Sequence, residues 1–262
     1  MIDRVFPIVI TLLAAVLWGG PAMTQKPVEK SLTEWVNQLG SKHHGPRQEA
    51  YRTLLRERSP RTVGLLGRQI ESFEASSQQT ACNLLRGFPF DDTRQLYKQL
   101  LAAKDPFLRL VSAARLWSAA KKDAVRKRLL QVLVTALAEL PDGRKLSAVH
   151  ACSKVVGEAV LAEMRRWLKP KLSVHIVTGV LRELLRRERG ASIATSAAVK
   201  SLLTSKEDRV LAVAHTYLLR QDAKHEKQLG DLSQKEPAMF WTIRDLLPSE
   251  GHFSDAIVAV IV

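Results

Sequence analysis

The sequence predicts an all-α protein, an α-α superhelix of about six to seven helical hairpins, and three observations support this fold class. Apolar residues make up 46% of the 262 residues, and Gly, Pro, Ser and Asp divide the chain into helical stretches at regular intervals. Aromatic residues account for only 6%, and β-branched and aromatic residues do not alternate at period two, which disfavours a β-sandwich or barrel. Segments of similar sequence also recur along the chain, which is typical of stacked helical repeats.

In chain order, helices are predicted at residues 31–40, 46–58, 60–73, 76–87, 91–103, 106–120, 122–138, 143–156, 158–168, 171–187, 191–204, 207–221, 225–233 and 236–247. Several starts carry recognisable signals, namely Ser59-Pro60, Asp105-Pro106 and Glu236-Pro237. Pro is tolerated in the first turn because its missing N–H has no intrahelical partner there, and Asp105 suits the N-cap. The connections are about two to six residues long, so neighbouring helices are expected to be antiparallel.

Alternate predicted helices share a pattern that begins with Arg and carries Ala within the next four residues. The segments are RQEAYRTLL (47–55), RLVSAARLW (109–117), RKLSAVHAC (144–152) and RVLAVAHTY (209–217). The initial Arg residues are separated by 62, 35 and 65 positions, close to two, one and two units of about 32 residues. One hairpin cannot bury its own apolar face, so each unit is expected to stack on the next, with Ala allowing close approach.

The clearest unit combines an Asp-Pro helix start, an Arg and paired Ala. These residues are Asp105, Pro106, Arg109, Ala113 and Ala114, with a weaker copy in Glu207, Asp208, Arg209, Ala212 and Ala214. The pattern resembles the second helix of a HEAT repeat, and the resemblance covers residues 31 to about 247. It implies a curved right-handed solenoid with an extended binding surface, usually for protein partners, and no cofactor.

The chain is expected to comprise a signal peptide (1–22), a polar linker (23–30), the HEAT-like repeat domain (31–250) and an apolar tail (251–262). The uncharged run at 5–18 has the length of a secretory signal rather than of a bilayer span. Gly20 and Ala22 supply the small residues for cleavage after Ala22. The sequence therefore predicts a periplasmic or secreted protein. A protein tethered by an uncleaved signal anchor is the alternative, because Asp3 offsets Arg4.

Common catalytic and metal-binding motifs are absent from the sequence. No catalytic, cofactor-binding or metal-ligating residue is therefore assigned. His43 and His44 are expected in a solvated turn, and His150 and Cys152 diverge because residues two apart on a helix face different directions. Cys82 and Cys152 are expected to be buried and free, because stacked helices two repeats apart are too distant for a disulfide.

Basic residues exceed acidic ones by 40 to 26, which gives a net charge of +14. The excess is concentrated between residues 121 and 189, with few acids among them. The residues predicted to form a partner-binding basic stripe are Arg126, Lys127, Arg128, Arg165, Arg166, Lys169, Lys171, Arg182, Arg186 and Arg187. Such a surface is expected to attract an acidic protein, an anionic envelope polymer or an anionic lipid surface.

The leading hypothesis is an exported, non-enzymatic scaffold or adaptor for protein–protein interaction. The alternative is a nucleic-acid-binding protein of the alkylpurine DNA glycosylase type, since those proteins are also basic HEAT-like solenoids. No matching set of Trp, Arg and Asp can be placed on this chain, and the export signal disfavours contact with chromosomal DNA. An enzyme resembling the phycobilin lyases is a third possibility, which rests on fold analogy alone.

Overall fold

The computed structural model describes residues 30–155, 157–188, 192–222 and 224–235, together with 238 and 246. All regular structure in this part of the chain is helical, which confirms the all-α class. The predicted signal peptide, most of the linker, most of the final helix at 236–247 and the apolar tail lie outside the described residues.

Thirteen α-helices and two short 3₁₀ turns form the described part of the chain. The helices are α1 (Leu32–Leu39), α2 (His44–Glu57), α3 (Pro60–Gln69), α4 (Ala75–Arg86), α5 (Phe90–Leu100), α6 (Pro106–Ala119), α7 (Asp123–Glu139), α8 (Asp142–Ala151), α9 (Glu158–Arg166), α10 (Val174–Glu188), α11 (Ile193–Lys200), α12 (Asp208–Leu219) and α13 (His225–Lys235). The 3₁₀ turns, Ile70–Ser72 and Ser201–Thr204, continue α3 and α11.

Local capping explains why several helices begin where the sequence predicts. The carboxylate of Asp105 accepts hydrogen bonds from the amides of Phe107 (2.7 Å) and Leu108 (3.3 Å) at the start of α6. Ser31 and Glu34 form a reciprocal capping box at the start of α1. These contacts satisfy amides that have no partner within their own helix.

One predicted helix, 143–156, is shorter in the structure, because α8 ends at Ala151. The carbonyls of Cys152 and Val155 accept hydrogen bonds from the guanidinium of Arg187, which belongs to α10. At this point a side chain from a distant helix therefore binds carbonyls that a longer helix would have used for its own hydrogen bonds. The local sequence does not indicate this contact.

The helices pack in two rows: several of the described helices contact the next helix, and most contact the next but one. Contacts between helices two apart in the chain join α2, α4, α6, α8, α10 and α12 without a break, and these helices form the even row. The odd row joins α1, α3 and α5, and separately α7, α9 and α11, whereas α5 and α7 scarcely contact each other. The apolar core lies between the rows, and the repeated Ala113, Ala114, Ala148, Ala212 and Ala214 are buried in it as predicted.

The repeated Arg residues have structural partners. Arg47 donates to the carbonyls six and five residues before it, Ser41 (2.8 Å) and Lys42 (3.2 Å). Arg109 repeats this geometry, donating to the carbonyls of Ala103 and Lys104, both at 2.9 Å. Each of these Arg residues therefore ties its helix to the connection that precedes it.

Arg144 instead joins three helices of the even row. Its guanidinium donates to Gln78 of α4 (2.6 Å), lies 3.6 Å from the carboxylate of Asp105 and stacks 4.6 Å from the ring centre of Phe107. The repeating Arg positions thus stabilise the stack. None of the described helices is long and apolar enough to cross a membrane.

Candidate partner-binding cleft

Two members of the predicted basic stripe, Arg165 and Arg187, lie largely inside the protein. The side chain of Arg165 is 12% exposed, and its guanidinium pairs with Glu158 (2.5 Å) and with Glu188. Its Nε also donates to the hydroxyl of Thr195 (2.9 Å), so Arg165 links α9, α10 and α11. These contacts leave Arg165 little surface for a partner.

Arg187 is 9% exposed and pairs with the buried carboxylate of Glu183 at 2.6 Å. The same carboxylate binds Arg186 (2.7 Å), which also donates to the carbonyl of Ser153. Burial alone raises the pKa of Glu183, but the hydrogen bonds and positive charge of Arg186 and Arg187 outweigh it and hold the pKa below its usual value. Glu183 therefore stays ionised and anchors α10 to the segment that follows α8.

Arg126 braces the connection between α6 and α7. Its Nε donates to the carbonyl of Ala120 (2.9 Å), and its guanidinium lies 5.2 Å from the ring centre of Trp117. The remaining stripe residues are exposed: Lys127, Arg128, Arg166, Lys169, Lys171 and Arg182. Of these, Arg166 pairs with Glu163 of its own helix at 2.8 Å. Whether the exposed members bind a partner remains a prediction.

The cysteines of the described residues form no disulfide, and the histidines take part in no group of potential metal ligands. Cys82 and Cys152 are free and buried, as predicted, and burial raises the pKa of both thiols to about 12. His150 is exposed although Cys152 is buried, so the two diverge as expected. No group of three or more potential metal ligands occurs in the described part of the chain.

The break in the odd row opens a cleft of about 620 Å³ between α5 and α7. Its floor is apolar and is formed by Phe90, Leu101, Leu116, Val125 and Leu129. The side chain of Val125 is 43% exposed, and Val125 and Ile193 are the exposed large hydrophobic residues of the described chain. The cleft therefore offers apolar surface that no described helix covers.

Four cations and one acid line the rim of this cleft. The cations are Arg94 and Lys98 of α5 and Lys121 and Lys122 of the connection between α6 and α7, and the acid is Asp91. None of the four cations forms an ion pair with any described residue. An apolar floor with unpaired cations around it is complementary to an acidic, amphipathic ligand.

The sequence alone placed Lys121 and Lys122 in a basic region but did not select Arg94, Lys98 or Val125. A local signal exists at Val125, an apolar residue that lies between Asp123 and the basic residues 126–128 at the start of α7. The cleft itself depends on the failure of α5 and α7 to pack, which only the tertiary structure shows. Comparison of the chain with protein-family models, with curated proteins and with solved structures finds no match.

Proposed function

We propose that the protein is a non-enzymatic interaction module, exported from the cytoplasm and built as a HEAT-like solenoid, that binds an acidic segment of a partner protein. The observation that carries the proposal is the cleft between α5 and α7, with its uncovered apolar floor and unpaired cationic rim. The helix repeat supports the solenoid, and the uncharged run at 5–18 supports export.

The favoured occupant is an amphipathic helix with apolar residues at i, i+3, i+4 and i+7 and acidic residues on its other faces. Apolar side chains of such a helix would contact Val125 and the residues around it, and the acidic residues would face Arg94, Lys98 and Lys122. Long-range attraction by the +14 net charge would accelerate association. An anionic membrane surface fits less well, because the apolar floor lies within a cleft.

The test uses a synthetic helical peptide with Leu at those positions and Glu elsewhere, and a scrambled peptide of the same composition as its reference. We expect the full chain to bind the helical peptide more tightly than the scrambled one, with affinity that falls as ionic strength rises to the physiological value. Fluorescence anisotropy measures both. Equal affinity for the two peptides contradicts the proposal, as does affinity that is insensitive to salt.

Two matched charge-reversal variants locate the binding surface. Lys98→Glu with Lys122→Glu alters the cleft, whereas Lys169→Glu with Lys171→Glu removes the same charge from exposed stripe positions. We expect the first pair to weaken binding by about tenfold or more and the second to change it by less than about threefold. The opposite pattern would assign binding to the predicted stripe instead of the cleft.

A further inference from the structure

A second cavity, of about 280 Å³, lies where three helices of the even row end. It is lined by Arg86 from the last residue of α4, by Arg115 near the end of α6, and by His150 and Lys154 at and after the end of α8. Because α4 packs on α6 and α6 on α8, the cationic ends of three sequence-distant helices meet at one place.

No acidic residue lines this cavity, and Arg86, Arg115 and Lys154 form no ion pair with any described residue. The contrast with the rest of the even row is direct, since Arg144 is held by Asp105 and Arg187 by Glu183. The cations of the cavity therefore have no acidic side chain of the described chain as a counter-charge.

A helix C-terminus favours a nearby cation, which accounts for a basic residue on each helix taken separately. It does not account for the Nε of Arg115, which is buried and completes no hydrogen bond, although the Tyr97 hydroxyl lies near the same guanidinium and also lacks a partner. Its guanidinium lies 5.9 Å from the ring centre of Phe90. A buried donor without a partner is costly, and an acceptor bound in the cavity would satisfy it.

We propose that this cavity binds a compact phosphate-type oxyanion. Arginine recognises such groups through its planar set of N–H donors, and a tetrahedral anion can accept hydrogen bonds from several directions at once. The cavity is at the lower end of the size of small-molecule sites, which favours a small free anion over a segment of a polymer. This site is separate from the cleft between α5 and α7.

The experiment measures binding of inorganic phosphate to the full chain by isothermal titration calorimetry and by thermal unfolding, with chloride at the same ionic strength as the reference. We expect saturable binding, and a melting temperature that rises with phosphate but not with chloride. Equal effects of the two salts would overturn the proposal. Binding to vesicles that contain phosphatidic acid, without binding of free phosphate, would also overturn it.

Two variants test the residues. Arg115→Gln is expected to weaken phosphate binding at least tenfold, whereas Arg68→Gln, which alters an exposed Arg in the last turn of α3, leaves it unchanged. Lys154→Ala is a second test of the same cavity. Because Lys154 is exposed, this variant is expected to fold even if Arg115→Gln does not. It is expected to weaken binding at least threefold and, without phosphate, to melt no lower than the wild type because charge repulsion is relieved.

Binding that is unchanged in both Arg115→Gln and Lys154→Ala would overturn the assignment, as would an equal loss in Arg68→Gln. The acidic-peptide measurement on Lys154→Ala separates this site from the cleft, because Arg115 also lies against Phe90 of the cleft floor. Peptide binding should persist when phosphate binding is weakened.

Discussion

At the scale of single residues, the burial and structural role of an arginine depend on partners that lie far away in the sequence. Arg187 and Arg166 both belong to the predicted basic stripe. In the structure Arg187 is buried against Glu183 and two carbonyls of another segment, whereas the side chain of Arg166 is 75% exposed. Similar residues therefore have different roles, one in stability and the other at the surface.

Replacement of Arg187 by Gln should destabilise the protein by about 3 kcal/mol, because it leaves the Glu183 carboxylate short of a partner and removes donors from the carbonyls of Cys152 and Val155. Arg128→Gln should cost less than about 1 kcal/mol, since the exposed side chain of Arg128 forms no ion pair with any described residue. Urea unfolding followed by circular dichroism measures both free energies. Equal losses in the two variants would refute the structural role assigned to Arg187.

At the scale of helices, local signals predict most of the elements and tertiary contacts decide the rest. Asp105 marks the start of α6 because its carboxylate bonds to amides two and three residues away. The early end of α8 depends on Arg187, more than thirty residues later in the chain. Local patterns cannot show such a partner, and for the same reason they could not distinguish Arg165 from the exposed Lys169.

The contact between α12 and α13 contains a pair of histidines that makes stability depend on pH. Their Nδ1 atoms are 3.0 Å apart, which requires one ring to donate and the other to accept. Burial lowers the pKa of both His215 and His225, and each is lowered further by nearby positive charge. The positive charge near His225 comes from Lys224 and Lys200, whereas Asp222 opposes the shift.

Acidification should therefore destabilise the protein. In the unfolded chain these histidines bind protons when the pH falls to their ordinary pKa. In the folded protein their pKa is lower, so they are still largely neutral at that pH. The free energy of unfolding should be fully retained above about pH 6.5 and should fall as the pH drops through and below that value. Urea titrations across this range measure the slope. His215→Gln should flatten it, and exposed His175→Gln should not; equal slopes in all three proteins would exclude the pair as the cause.

At the scale of the whole molecule, the described helices contact near neighbours in sequence, so cooperativity must pass from one helix to the next. The even row is continuous, but the odd row is interrupted between α5 and α7. Coupling between the two ends of the stack therefore passes mainly through α6, which contacts α4 and α5 on one side and α7 and α8 on the other. The same interruption creates the cleft, so an uncovered binding surface and a weak point of the stack have one structural cause.

This arrangement predicts that a destabilising substitution at one end of the stack promotes unfolding near that end and not at the other. Leu54→Ala in α2 removes a fully buried side chain and should cost about 2 to 4 kcal/mol. At low urea, hydrogen exchange followed by mass spectrometry should show faster exchange in α1 to α5, while α8 to α12 keep the protection of the wild type. Leu181→Ala, at an equally buried position in α10, should give the reverse pattern. If either variant accelerates exchange uniformly from α1 to α12, the stack unfolds as one cooperative unit and the break between α5 and α7 has no energetic consequence.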